Sequence, residues 1–477
     1  MNTAMNLIGN PSGSLPSSAT ASLQSTQIRL SGVISAMSYA LDITEGQPEG
    51  HAVRTCLIGM RMAKELRLTN EESSALFYAL QLKDLGCSSN AGKMSQLLSA
   101  DDRSVKRDFK TVNACKLFPK IAYIWRSIGT GASWAAKVAR LVKIGMAGEQ
   151  HAKEFIQLRC ERGAQIASSF LMPDDTANAI RALDEHWDGK GYPDGLKGDQ
   201  IPLLGRILCL AQTVEVFHTN YGLDAAMEMA VKRRGAWFDP NLVRVLLSIR
   251  SDATFWSRLE TDNIHAHVAE FEPVDEIVHA DDQRLDRIAE GFATVIDVKS
   301  SWTYRHSRGV TELATGIAGV MGFTGQELID IRRAALLHDI GKLGVSNLIL
   351  DKPAKLTDTE YAEMREHAAH TYHILSRVNG FSHLADLAGA HHERLDGNGY
   401  FRGWGANELT TPMRILAVAD MCEAMSAERP YRDTMPMEKV LGLLDKDKGS
   451  AICPSVYHAL KFYLDTHRYE PSRLIRD

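Results

Sequence analysis

Seven residues in the second half of the chain could hold metal ions: His306, His338, Asp339, His367, His391, His392 and Asp420. Five imidazoles offer nitrogen and two carboxylates offer oxygen, a donor set suited to divalent ions that act on phosphate. Two divalent ions, two carboxylates and one hydroxide would leave a charge of about +1, which suits a phosphodiester monoanion. A lone His on a helix is more often a satisfied core or surface residue, so the weight of the argument rests on spacing. That spacing occurs twice. His51 precedes Lys83 by 32 residues, as His306 precedes His338, and Asp184 precedes Gln212 by 28, as His392 precedes Asp420.

His51 and Asp84 match His306 and Asp339 at an offset of 255, whereas Asp188 and Gln212 match Asp396 and Asp420 at 208. A duplicated unit whose first copy carries an insertion of 47 residues (255 − 208), lying between about Cys87 and Gln157, accounts for both offsets. The first copy keeps His51 and Asp84, but its other ligand positions read Lys83, Arg159, Leu183, Asp184 and Gln212. With two survivors of seven and two added cations, it cannot hold a dinuclear centre.

The elements that must position these residues read as helices. Val53–Leu66, Ala75–Leu85, Leu285–Val298, Val310–Met321 and Leu328–His338 place apolar residues at i, i+3, i+4 and i+7, and alternating β-branched runs are scarce. The expected fold is all-α, two tandem helical bundles with the dinuclear site in the second. Bundle cores build metal sites from inward side chains on facing helices. His338-Asp339 and His391-His392 each fall near a helix end, where neighbours diverge by about 100° and can serve different ions. Two glycine loops, 188–198 and 396–403, supply backbone conformations that other residues avoid. The expected organisation is a disordered tail over 1–27, a degenerate regulatory domain over 28–261 with its insertion at 88–157, a polar linker over 262–280, and a catalytic domain over 281–477. The insertion holds Phe118, Tyr123, Trp125, Trp134 and an apolar stripe over Val138–Ile144, so it is expected to pack.

Composition narrows the class. The net charge of −5 argues against a general nucleic-acid surface, and the seven scattered cysteines, with no Cys-x-x-Cys pair, read as a reduced cytoplasmic chain. No signal peptide and no run of 18 apolar residues is visible, so neither export nor a membrane span is expected.

Three strings carry a resemblance: His338-Asp-Ile-Gly-Lys342, His391-His-Glu-Arg-Leu-Asp-Gly-Asn-Gly-Tyr400 and Arg429-Pro-Tyr-Arg432. Together they resemble the HD-GYP branch of the HD metal-dependent phosphohydrolases, well over 285–470 and weakly over 30–250. The resemblance implies a phosphodiesterase that cleaves a cyclic dinucleotide, chiefly cyclic di-GMP, to linear dinucleotide or GMP. Alternatives are cyclic GMP-AMP, another phosphoester, or a signalling protein that is largely non-catalytic. It implies iron or manganese, with His306, His338, Asp339 and Asp420 on one ion, and Asp339, His367, His391 and His392 on the other. Trimetal members carry a Glu where this chain has Trp302, so two ions are expected.

In the same way Lys342, one turn after His338, would neutralise a phosphate oxygen, and Arg429 and Arg432 would contact phosphate. A Lys favoured by a helix end and a packed Arg-Pro-Tyr-Arg turn are the structural alternatives. Gly399 and Tyr400 would shape the substrate side, His370 and His373 would be supporting or solvent-facing, and Asp396 would cap its loop. A diguanylate cyclase or another signalling partner on the first copy, and a homodimer, are the implied partners. Each copy departs from the pattern differently: the first keeps the loop Gly191-Tyr192-Pro193 with Cys87 in place of the lysine, while the second has Phe401 in place of the proline. Pro restricts φ and Phe does not, so the second loop is expected to differ in conformation.

Overall fold

The computed structural model describes residues 28–98, 100–109, 153–261, 264–273, 279–300, 305–378, 380–428 and 433–471. These residues form helices and turns, with only isolated β-bridges among them. The all-α expectation is met. The expected tail and most of the insertion, including Phe118 and Val138–Ile144, lie outside the described residues.

In the first copy, α1 (Leu30–Thr44), α2 (His51–Leu66), α3 (Asn70–Leu82), α4 (Asp174–Arg181) and α5 (Leu203–Lys232) surround the core. The second copy runs in the same order through α6 (Asp282–Asp297), α7 (His306–Val320), α8 (Gly325–Leu337), α10 (Ala385–Gly389) and α11 (Thr411–Ser426), with α9 (Asp358–Ser376) before α10 and α12 (Pro454–Thr466) after α11. α2 packs on α3 and α5 as α7 packs on α8 and α11. Local chemistry sets the helix ends. Thr69 and Glu72 form a capping box on α3, Thr357 and Glu360 form one on α9, and Asp281 caps α6.

The halves share one hydrophobic core running from Leu30 to Leu460. α1 packs against the 3₁₀ turn Ile340–Gly344 and against α9, placing the first copy behind the turn that carries Lys342. Polar contacts reinforce this seam: Asp102 Oδ1 accepts from the Asn347 amide at 3.0 Å, and Lys299 Nζ lies 3.9 Å from Asp102 Oδ2. The stretch expected to be a linker is, where described, packed rather than free. Ile264 and Val268 are buried in a helix against α2, and buried Glu272 accepts from Ser31 Oγ at 2.7 Å. Its acidic sequence masked this, because an acid that finds hydroxyl and cation partners can be buried.

Candidate metal centre

The seven predicted ligands converge. His306 opens α7, His338 caps the end of α8, Asp339 begins the 3₁₀ turn, His367 lies inside α9, His391 and His392 follow α10, and Asp420 lies inside α11. Asp339 sits at the middle. Its Oδ2 is 3.4 Å from His306 Nε2 and 3.3 Å from His338 Nε2, while its Oδ1 is 3.5 Å from His367 Nε2 and 3.7 Å from His391 Nε2. Asp420 Oδ1 lies 3.2 Å from His306 Nε2 and 3.7 Å from His338 Nε2, and its Oδ2 lies 3.8 Å from His392 Nδ1.

The outward nitrogens of the imidazoles are engaged. His338, His367 and His391 donate from Nδ1 to the carbonyls of Ala335, Met364 and Ala388 at 2.6–2.7 Å, and His306 Nδ1 meets Glu423. Such second partners fix the tautomer and aim Nε2 inward as a lone-pair donor. Sequence reasoning missed Glu423. A signal was present: Glu215 stands 208 residues earlier, and it meets His51 Nδ1 in the same way.

Two buried polar atoms, His338 Nε2 and Asp339 Oδ1, have no hydrogen-bond partner. Buried groups of this kind are ordinarily satisfied. Donor atoms 3.1–3.8 Å apart are what ligands about 2.0–2.2 Å from a shared ion would show. The residues therefore fit a divalent metal ion, and the sets His306–His338–Asp339 and His367–His391–His392 can each hold one.

The electrostatics divide the site. Burial opposes charge on His338, but Asp339 and Asp420 outweigh it and raise its pKa to about 9, and burial of His306 is outweighed in the same direction by Glu423 and the two aspartates. Burial, with His392 adding to it, lowers His367 to about 3, and burial lowers His391 as well. Asp339 and Asp420 are held well below the carboxylate range, Asp339 by Lys342 and the histidines and Asp420 by the histidines, against the opposing effect of burial.

Lys342 requires a correction. The α-helix ends at Leu337, and Lys342 stands on a 3₁₀ turn with its Nζ 2.5 Å from Asp339 Oδ2, so it does not share a helical face with His338. A chain reversal forced by α1 and α9 packing around Ile340–Gly344 is not legible in local periodicity. Gly341 shows the constraint, since a Cβ there would meet His367 O at 1.9 Å.

At Phe401 the glycine loop differs from its counterpart as expected, for Phe401 takes φ +100°, which the proline ring at Pro193 forbids. Glu393 accepts from the amides of Arg402, Gly403 and Trp404 at 2.8–3.2 Å, and Glu185 accepts from the equivalent amides of Asp194, Gly195 and Leu196 at 2.7–3.1 Å. The carboxylate clamp is thus common to both copies, although the backbone at Phe401 is not. Asp396 caps the loop through the Asn398 amide, as expected. Gly399 is required by close approach, for a Cβ would come 2.5 Å from Glu393 Cα. The Tyr400 ring lies 4.6 Å from the His392 ring. His370 is half-buried and His373 exposed, with no contact to the cluster among the described residues. Arg429, Arg432 and Trp302 lie outside the described residues.

In the first copy an ammonium occupies the equivalent place. Lys83 Nζ is 2.9 Å from His51 Nε2 and bonds Asp84 Oδ2, while Arg159 pairs with Asp184.

An HD-domain family model matches residues 140–242 and 291–456, more than half of the chain. The chain belongs to the HD-domain family. Both matched stretches of this HD-domain protein fall in different copies, and the motif strings in the second are those of the HD-GYP branch. The "3'3'-cGAMP-specific phosphodiesterase 3" of Vibrio cholerae is 41% identical over 432 residues, 91% of this chain and 94% of that protein. A "Cyclic di-GMP phosphodiesterase" of Thermotoga maritima is 38% identical over 192 residues, 39% of this chain and 52% of that one. A crystal structure of a cyclic GMP-AMP-specific phosphodiesterase from V. cholerae superposes with a TM-score of 0.64 at 37% identity, covering 92% of this chain and 98% of the other. Among the described residues, no helix of the HD-domain protein is long and apolar enough to cross a membrane.

Proposed function

We propose that this HD-domain protein is a phosphodiesterase that hydrolyses 3'3'-cyclic GMP-AMP at the His/Asp cluster of its second copy. The observation that carries this reading is the 41% identity over nearly the whole chain to a cyclic GMP-AMP-specific enzyme. It moves the substrate expected from the motifs, cyclic di-GMP, to second place. The match to the T. maritima enzyme, named for cyclic di-GMP, spans only 39% of this chain.

Two divalent ions, iron or manganese, are the proposed cofactors, held by His306, His338, Asp339 and Asp420 and by Asp339, His367, His391 and His392. When bound, such ions lower the pKa of a water and neutralise charge on phosphate. The chain's own residues set the approach. His306, His338, Asp339, His367, His391 and Asp420 have side chains at most 7% exposed, whereas His392 is 26% and Lys342 20% exposed. Substrate therefore reaches the centre from the side of His392, Lys342 and Tyr400. Lys342 keeps Asp339 ionised and, being partly exposed, can turn its ammonium to a phosphate oxygen. Among the described residues the remainder of the cluster is buried, so water is largely kept from it away from that side.

The test is a set of rates on cyclic GMP-AMP, cyclic di-GMP and bis(p-nitrophenyl) phosphate with purified protein whose iron and manganese content is measured. A kcat/KM for cyclic GMP-AMP above that for cyclic di-GMP supports the proposal, and no cleavage of either by metal-loaded protein overturns it.

A further inference from the structure

The metal cluster reaches the surface along a short file of side chains. The Tyr400 ring lies against His392 with a centroid separation of 4.6 Å, and Arg365 Cζ stands over the Tyr400 ring at 4.8 Å from its centroid. Arg365 Cζ is also 6.0 Å from the ring of Tyr361, one turn earlier on α9. Tyr361 is 52% exposed and is one of the few large apolar side chains exposed to that degree among the described residues. Arg365 is exposed and has no carboxylate within salt-bridge distance among the described residues, whereas Arg332, Arg333, Arg377, Arg394 and Arg402 each have one.

The guanidinium rests on rings rather than on an acid, which leaves its donors open to a ligand beside an exposed ring. Both stand on the open side of the cluster, where His392 is the most exposed of the proposed ligands. α9 supplies both Arg365 and His367, so the position of the guanidinium relative to the centre is set by the same helix that supplies a ligand. Planar purines are held by side chains of this kind: an aromatic face stacks the base, and a guanidinium fork bonds guanine O6 and N7. Phosphate already has candidate partners in Lys342 and the ions.

We propose that Tyr361 and Arg365, the latter braced on Tyr400, form a purine-base platform at the mouth of the centre, with Tyr361 stacking the base and Arg365 reading guanine. This rests on the cyclic dinucleotide reading given above. Arg365 and Tyr361 are exposed, so their replacement leaves the core and the ligand shell intact.

The experiment measures kcat and KM on cyclic GMP-AMP, and kcat/KM on bis(p-nitrophenyl) phosphate, for wild type, Arg365→Ala, Arg365→Lys and Tyr361→Ala, with metal content determined for each. Arg365→Ala is expected to raise KM for cyclic GMP-AMP about tenfold or more, the loss of one bidentate base contact. Cleavage of the base-free diester and the metal content should stay at wild-type values. Arg365→Lys should not rescue, since a point charge lacks the fork, and Tyr361→Ala should raise KM several-fold. An unchanged KM in Arg365→Ala overturns the platform. So does full rescue by Lys, which would assign the contact to phosphate, and so does a parallel loss of metal and of activity on the base-free diester. If wild type cleaves the base-free diester but no cyclic dinucleotide, the functional reading fails by itself. The platform is then judged by guanosine monophosphate, whose inhibition of base-free cleavage should weaken in Arg365→Ala.

Discussion

The two copies place a His and an Asp at the same points of the same helices, and they neutralise that Asp by different means. In the first copy, Lys83 inserts its ammonium between His51 and Asp84, both of which are fully buried. In the second, His338 stands at the Lys83 position, and Asp339 faces four histidines and a partly exposed Lys342. A covalently attached cation satisfies a buried carboxylate permanently and leaves no open position. Histidines present lone pairs that need an exchangeable cation. The comparison teaches that a cation carried by the residue before the Asp, together with the loss of the other ligand positions, leaves a structural ion pair where the second copy keeps an open cluster, with the Glu215–His51 contact common to both.

The largest expected contrast comes from the aspartates. Asp339→Ala should abolish metal binding and lower kcat by about three orders of magnitude or more, since the ions supply several kcal/mol. Asp84→Ala should leave metal content unchanged, and elemental analysis of both variants checks this. Next in size is the buried pair itself. Lys83→Met leaves Asp84 without its cation and should cost about 3–5 kcal/mol of stability, read as a lower Tm, with no change in metal content.

Glu423→Gln should weaken metal affinity about 10–100-fold, the usual effect of losing the partner behind a ligating His. The equivalent change at Glu215 should leave metal affinity at the wild-type value. A smaller effect is expected with pH. In the metal-free protein His306 and His338 are held protonated, His338 with a pKa of about 9. Ion binding must displace those protons. Metal affinity should therefore rise with pH through the range up to about 9, and calorimetry in buffers of different ionisation enthalpy should detect proton release at pH 7. The first copy, with Lys83 in place, should contribute none of it. Smallest are the loop clamps: Glu393→Ala should lower kcat/KM several-fold through Gly399 and Tyr400, and Glu185→Ala should leave it unchanged.

Much of the site was legible because its residue types are rare and their spacing repeats. His306, His338, Asp339, His367, His391, His392 and Asp420 were all named from spacing and resemblance, and all seven meet. Glu423 and Glu393 were legible in principle, through Glu215 and Glu185 at the same offset, but a Glu on a helix or before a loop is too common to single out. Arg365 gave no signal of its own. The path of the chain after Leu337 was misread because a 3₁₀ turn depends on what packs around it. The local change at Phe401 was legible from the loss of proline, whereas the clamp from Glu393, eight residues away, was not, because it depends on how the loop folds back.

By itself the sequence determined that the chain is helical, that its motif spacing repeats with an insertion in the first copy, and which copy keeps the His/Asp set able to ligate metal. Those properties are carried by periodicity, offset and residue type, which are local or countable. Tertiary structure alone decided that Asp339 faces both groups of histidines and that Lys83 fills the equivalent space. It also decided that the supposed linker is packed, and that Tyr361 and Arg365 line the open side of the cluster. Each of these depends on the distance between side chains on different elements, which only the packing of the helices sets.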